Sequence, residues 1–370
     1  MPIAPKTKRN IQRIIPFAII WLILGWINLF TQEAVTLNTN LNPSSAISIT
    51  TEVFIFANFA LIVVSLLVGA IEVLWLDKLF NKKNFSKKII YKLVFYTLFL
   101  LLVILITFPI AAAIESETSL FSAVIWTKFV NFISSIEFAS TMVSISFSLF
   151  VSLLYFEISE NIGHGVLMNF FTGKYHRPIE EKRIFMFTDM KSSTTIAEQM
   201  GHIKYFELLK AYYNDFSDAI VRFSGEIYQY IGDEIVISWK YDNEEQLTNA
   251  IACFFTMKKD LLKKTKWYQS NFGIVPTFKA GLHAGTVTTG EIGALRKEII
   301  FTGDVLNTTS RIQGLCNEMN VDLLVSQDIV TPTLSKNKYV IEPMGTVVLK
   351  GKEESKPLFT IKQLEYERVQ

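Results

Sequence analysis

Apolar and polar positions divide the chain into two unlike halves. Before residue 157, four runs carry no charged residue: Ile14–Phe30, Val53–Ile71, Leu93–Ile114 and Phe138–Phe156. They are 17 to 22 residues long, and a helix needs about 20 apolar residues to cross a bilayer core. Pro16 and Pro109 lie inside runs, and membrane helices tolerate such prolines better than soluble ones. The pattern predicts an α-helical transmembrane bundle of four spans over 1–156, at about 14–30, 53–76, 90–114 and 138–156. Residues 157–182 predict a helical linker, loosened by Gly163 and Gly165, with an apolar stripe at Leu167–Phe171 and a stop at Pro178. It suits a signal-transmitting or dimerising helix as well as it suits a plain tether.

From residue 183 the pattern shortens and mixes. Arg183–Phe187 predicts a strand and Ser193–Phe223 a helix. Glu226–Ile231 and Glu234–Trp239 alternate and meet at Gly232-Asp233, a hairpin signature. Glu244–Trp267 predicts a second helix and Val305–Met319 a third. Thr277–Ala284 and Lys297–Thr302 predict strands between them, with short runs at Leu323–Ser326, Tyr339–Ile341 and Thr346–Leu349 to follow. The order β-α-β-β-α-β predicts an α+β, ferredoxin-like sandwich for 183–370.

Charge fixes an orientation for the first half. Lys6, Lys8, Arg9 and Arg13 precede the first run, and Lys78, Lys82, Lys83, Lys87 and Lys88 lie between the second and third. Thr31–Glu52 has no Lys or Arg, and Glu115–Glu137 has only Lys128. The positive-inside rule then puts the N-terminus and everything after Phe156 in the cytoplasm, as expected for an integral membrane protein. Leu120–Ile136 is apolar but carries Lys128, which predicts an interfacial segment or an early part of the last helix. The N-terminal run predicts an uncleaved anchor rather than a secretory signal. Glu72 and Glu137 end apolar runs, where snorkelling to the interface is the plain expectation and a functional charge the alternative. Ser140, Thr141, Ser144, Ser146, Ser148 and Ser152 can bond between helices.

Composition sharpens this in one respect. Half of the residues are hydrophobic and 19% are charged, against about a quarter charged in an average soluble protein. Mean hydropathy is +0.31. A net charge of +2 gives no case for nucleic-acid binding. Cys253 and Cys316 with four histidines make neither a disulfide scaffold nor a zinc pattern.

Candidate chemistry gathers in the second half. Asp189 closes the first strand and Asp233 sits in the hairpin turn. If those strands are sheet neighbours, both carboxylates project from one edge, a hard anionic pair suited to Mg²⁺ or Mn²⁺. Lys191-Ser192-Ser193-Thr194 opens a helix, whose N-terminal N–H groups suit phosphate. Asn307 and Arg311 are four apart, hence on one helical face, as a ribose-orienting amide and a phosphoryl-neutralising guanidinium or as a plain surface pair. His283 is expected to be structural, buried in its strand without a partner.

These residues resemble the class III nucleotide cyclase catalytic domain, of the bacterial membrane type with an N-terminal helical bundle. The resemblance runs from about Arg183 to Gln363 and rests on four ordered blocks: 185–190, FMFTDM; 225–234, GEIYQYIGDE; 280–285, AGLHAG; and 302–311, TGDVLNTTSR. A diguanylate cyclase signature is absent. The resemblance implies cyclisation of a nucleoside triphosphate with release of pyrophosphate. Asp189 and Asp233 match the family's two metal-binding aspartates and the carbonyl of Met190 a backbone ligand, with two Mg²⁺ or Mn²⁺ per site. Asn307 and Arg311 match the transition-state pair, and Lys350 a phosphate-contacting lysine. Because family sites form between two domains, it also implies a head-to-tail homodimer in the membrane lipid.

The family's purine-reading positions are Gln229 and Ile300 here, where adenylate-specific members have Lys and Asp. ATP is the expected substrate, with GTP or dual use as the alternative. A catalytically silent receptor or scaffold is the third reading, and the intact Asp189, Asp233, Asn307 and Arg311 speak against it.

Overall fold

The computed structural model describes residues 4–36, 44–80, 83–332, 334, 339–348 and 355–363. Two compact units divide near residue 168: Thr7–Met168, and Asn169–Gln370 together with the first six residues.

The first unit holds α1 (Pro5–Thr36), α2 (Thr51–Phe80), α3 (Phe85–Ser116), α4 (Ala123–Ile133) and α5 (Ile136–Ile162). Four of these helices are long and apolar enough to cross a membrane. Their inner seam is Phe17, Trp21, Val68, Tyr96, Leu100, Leu149, Leu153 and Phe156. Phe59, Leu98, Leu102 and Ile106 point outward and exposed, which suits a lipid surround. Ser152 accepts a hydrogen bond from the Trp21 indole at 3.3 Å, and Ser144 donates to Asn28 at 3.0 Å, so both tie α5 to α1. Thr141 and Ser148 turn back onto their own helix.

The segment around Lys128 is a helix of its own. Ser134-Ser135 separates α4 from α5, and Lys128 turns inward to Glu115 of α3. Glu72 overturns the snorkelling expectation. It is fully buried and ion-paired with Lys92. The backbone of α2 widens into a π turn over Glu72–Leu76, which aims Glu72 at the bundle interior, where Lys92 of α3 awaits it.

Between the units, α5 runs on to Ile162. Gly163 (φ 102°) ends it, and α6 (His164–Thr172) follows.

The second unit is one mixed sheet of eight strands in the order β2-β3-β1-β4-β6-β8-β7, with β5 paired to β4. The strands are β1 (Ile179–Met190), β2 (Glu226–Ile231), β3 (Glu234–Lys240), β4 (Phe278–Ile292), β5 (Glu298–Thr302), β6 (Leu323–Ser326), β7 (Tyr339–Val348) and β8 (Ser355–Gln363). The four core strands, β2-β3-β1-β4, have the ferredoxin-like order. One face packs α8 (His202–Arg222) and α9 (Glu245–Lys263) through Tyr212, Phe216, Phe254 and Trp239. Burying each such ring is worth roughly 1.5–3 kcal/mol. The other face carries α11 (Asp304–Gly314) through Val305, packed with Phe185, Phe187, Val236 and Val287.

Several boundaries differ from the periodicity. The long first helix is two, α7 (Ser193–Met200) and α8, because Gly201 turns the chain at φ 76°. The second breaks at Lys264 before α10 (Thr265–Phe272). The third stops at Gly314. β4 runs on to Ile292 because its threonine-rich end pairs β5, Thr288 opposite Thr302. The runs at 339–341 and 346–348 are one strand, bulged between Pro343 and Gly345, and Leu349 of the second run lies outside the described residues.

Candidate active site

Two strand ends build the site. β1 and β3 pair antiparallel through Thr188 and Ile235. Asp189, one step beyond, therefore lies beside the turn that carries Asp233. Gly232 makes that turn possible at φ 62°, and the Tyr213 hydroxyl donates to its carbonyl. Burial first, then the adjoining Asp189 carboxyl, pushes Asp233 above its ordinary value; the Ser193 hydroxyl opposes this. Glu234 is pushed up to about 7 by burial and by both aspartates. Three carboxyl groups, Asp189, Asp233 and Glu234, thus crowd their negative charge at one place.

The orphan atom is specific. Asp233 Oδ2 is buried with no hydrogen-bond partner among the described residues. Asp189 is partly answered: Lys279 Nζ and Gln313 Nε2 each stand 3.3 Å from its Oδ2. A hard divalent cation between Asp189 and Asp233 fits this donor set, since it would supply the charge and the partner that Asp233 lacks. Met190 is buried at the end of the same strand.

Beyond Met190 the backbone tightens. Ser192 adopts φ 57° and α7 begins at Ser193, with Thr194 exposed in its first turn. Lys191 is not aimed into this opening. Its ammonium pairs with Asp322, which also holds Lys258 at 2.6 Å.

α11 presses closely on β4. A Cβ on Gly281 would run into the Gln313 backbone, so glycine there allows the approach. Val305, Thr309 and Ile312 face inward, leaving Asn307 exposed and Arg311 half-buried on the outward stripe. Among the described residues, the side chain that reaches Asp189 from this helix is Gln313; no contact joins Asn307 or Arg311 to either aspartate.

Gln229 is exposed on β2, just past a bulge at Tyr228, and Ile300 is half-buried on β5 opposite Gly290. Their sequence neighbours meet. The Phe301 N–H donates to the Tyr228 hydroxyl at 3.3 Å, and the two rings are 4.8 Å apart. Lys350 lies outside the described residues.

Sequence reasoning missed Lys279, Gln313 and Glu234. The available signal for Lys279 was one charge inside an apolar strand two residues before Gly281. His283 is buried as expected, but it has partners: Nδ1 is 2.8 Å from Ser326 Oγ and 3.3 Å from Asp328. The pairing follows from β4 and β6 running side by side.

Comparison with known proteins gives the same region an identity. The family described as "Adenylate and Guanylate cyclase catalytic domain" matches residues 176–363. The chain is 33% identical over 195 residues to "Adenylate cyclase 2" of Rhizobium meliloti (strain 1021), covering 53% of this chain and 54% of that protein. It is 29% identical over 170 residues to "Retinal guanylyl cyclase 2" of Mus musculus, covering 45% of this chain and 15% of that one. The chain thus spans about half, or less, of the length of these relatives. The crystal structure of the adenylyl cyclase CyaB from P. aeruginosa is similar at 18% identity with a TM-score of 0.45, over 50% of this chain and 96% of that one.

Proposed function

For this chain, which belongs to the adenylate and guanylate cyclase catalytic domain family, we propose the activity of a membrane-bound adenylate cyclase. It converts ATP to 3′,5′-cyclic AMP and pyrophosphate for intracellular signalling. The observation that carries the reading is the meeting of Asp189 and Asp233 at neighbouring strand ends, with Asp233 Oδ2 buried and unpartnered.

Asp189, Asp233 and the Met190 carbonyl are the groups that would hold Mg²⁺ or Mn²⁺. Such an ion, when bound, makes the ribose 3′-hydroxyl easier to deprotonate and offsets triphosphate charge. The chain's own groups do the positioning. N–H groups at the start of α7, Ser193 and Thr194 among them, face the phosphates. Lys350 adds a cation. Asn307 orients the ribose, and Arg311 offsets charge that grows as the 3′-oxygen bonds to the α-phosphorus and pyrophosphate departs. Lys191, engaged by Asp322, acts by holding the β1–α7 turn rather than by touching phosphate.

Asn307 and Arg311 make no described contact with the aspartates of their own chain. This supports a head-to-tail homodimer in which each site takes its metal ligands from one copy and its Asn-Arg pair from the other. The lysine-rich loop and basic N-terminus support a cytoplasmic catalytic domain in a bacterial inner membrane.

ATP is favoured by the relative at 33% identity, named an adenylate cyclase. Gln229 and Ile300 favour neither purine strictly, so a guanylate or dual-specificity cyclase is the second reading. Full-length protein in membranes, given Mn²⁺ with ATP or GTP separately, tests both. Cyclic AMP from ATP is expected. Cyclic GMP from GTP alone would replace this reading with the second, and no product from either would leave a silent scaffold.

A further inference from the structure

The membrane unit contains a charge network that the cyclase reaction does not use. Arg13 of α1 forks onto Glu160 of α5, Nε to Oε1 at 2.8 Å and Nη2 to Oε2 at 2.7 Å, and Nη2 stands 3.7 Å from Asp77 of α2. Lys88 of α3 reaches Asp77 and Glu157 of α5, each at 2.8 Å. Lys92, one turn further in, pairs with Glu72 of α2 and with Glu157 at 2.7 Å. The Tyr96 hydroxyl lies 3.1 Å from both Glu72 and the Val68 carbonyl. Every cation comes from α1 or α3, and every carboxylate from α2 or α5.

Glu72, Asp77 and Glu157 have carboxylate oxygens within 4.8 Å of one another, but each already faces a lysine. The cluster is therefore a clamp rather than a cation site. Its placement is informative. Glu157 and Glu160 sit in the last turns of α5, the helix whose chain continues through α6 into β1 and so to Asp189. Charge pairs in a low-dielectric bundle are strong when made and costly when half-made, which gives two separated states rather than a continuum.

A wide helical turn that could relax to ordinary α geometry lies at the same place. The π turn at 72–76 separates Glu72, which opens it, from Asp77, which follows it. Relaxing it to α geometry rotates one relative to the other by about 100°, one residue's turn. Both carboxylates cannot then face their lysines.

We propose that this network is a latch on α5, closed with the π turn formed and open with it relaxed, through which the membrane unit sets the output of the cyclase. This deepens the cyclase reading and rests on it.

The test uses full-length protein in membranes. Glu157→Gln, Glu160→Gln and Arg13→Gln are compared with wild type for cyclase rate, nucleotide KM and trypsin cleavage after Lys174, exposed between α6 and β1. The latch predicts that kcat moves in one direction by about fivefold or more, with KM within about twofold. Arg13→Gln combined with Glu160→Gln should do no more than either alone. Cleavage should change in the same variants. If Glu157→Gln does not insert, the less buried Arg13–Glu160 pair carries the test. Variants that insert normally and keep wild-type kcat and cleavage overturn the latch. If wild type makes no cyclic nucleotide from ATP or GTP, the cyclase reading falls, and unchanged cleavage would then sink the latch as well.

Discussion

Lys92 and Glu157 meet 2.7 Å apart between α3 and α5, with the lysine fully buried and Glu157 nearly so. Glu72 closes the same contact from α2. Removing the lysine alone leaves Glu72 without a cation in a low-dielectric interior, with Glu157 still held by Lys88. Lys92→Met should therefore destabilise the bundle by about 3–5 kcal/mol, while Lys92→Met with Glu72→Gln and Glu157→Gln should recover most of that. Thermal unfolding in detergent measures both. A triple variant no more stable than Lys92→Met would mean that packing around Phe156, not charge, dominates this corner.

The aspartate pair makes a sharper demand. Asp189→Ala and Asp233→Ala each remove a carboxylate from the proposed metal seat, and turnover should fall to background while the fold survives. Arg311→Ala should be equally inactive alone. Mixing Asp233→Ala with Arg311→Ala chains should restore activity, because a head-to-tail pair then assembles one intact site. Activity in the Asp189→Ala protein, or no recovery at any mixing ratio, would count against the metal assignment or the shared site respectively.

Much of this was legible in the sequence, for identifiable reasons. Four uncharged runs announce the bundle, since a span needs length and apolarity and both are local properties. Asp189 and Asp233 were placed together because strand order brings their ends side by side. The π turn at Glu72 was not legible. Whether a run-end glutamate snorkels or turns inward depends on Lys92, twenty positions away on another helix. The break at Gly201 was missed because the apolar period continues across it. The end of β4 was missed because Thr286, Thr288 and Thr289 pair along the backbone and leave no apolar signature. Gln313 reaches Asp189 only because Gly281 lets α11 approach.

That close approach can be tested. Gly281→Ala puts a methyl group against the Gln313 backbone, which cannot swing aside as a flexible side chain would. α11 must shift, at a cost of about 1–3 kcal/mol for overpacking. Because the helix carries Asn307 and Arg311, the loss in kcat should exceed the loss expected from stability alone. Assays well below the thermal midpoint separate the two. Wild-type kcat in a folded Gly281→Ala protein would show that the helix position is not critical.

The His283–Asp328 contact contributes to stability on the acid side. The hydrogen bond from His283 holds Asp328 down to about 2, against burial, with the imidazole's charge and Lys356 helping. A carboxyl lowered in the folded state contributes stability above its ordinary value of 3.8, and that contribution is lost as pH falls toward about 2. Asp328→Asn should lower stability at neutral pH and flatten the decline between those limits. Denaturation midpoints at successive pH values read this directly, and parallel curves for the two proteins would dissociate Asp328 from the acid transition.

Gln229 and Ile300, the residues proposed to read the purine, flank the Tyr228–Phe301 contact on β2 and β5. That contact fixes the two strands against each other, so side chains introduced at 229 and 300 would be presented from a rigid frame. Gln229 offers both a donor and an acceptor, and Ile300 offers neither, so discrimination in the native protein should be shallow. Gln229→Lys with Ile300→Asp supplies a fixed donor and a fixed acceptor. A site built to bond one base edge leaves buried groups unpaired with the wrong base, at about 1–3 kcal/mol per lost bond. The double variant should raise the ratio of kcat/KM for ATP over GTP by about tenfold. Either single change should do less, because an unpaired charge remains. An unchanged ratio in an active double variant would show that the base is read elsewhere than at these two positions.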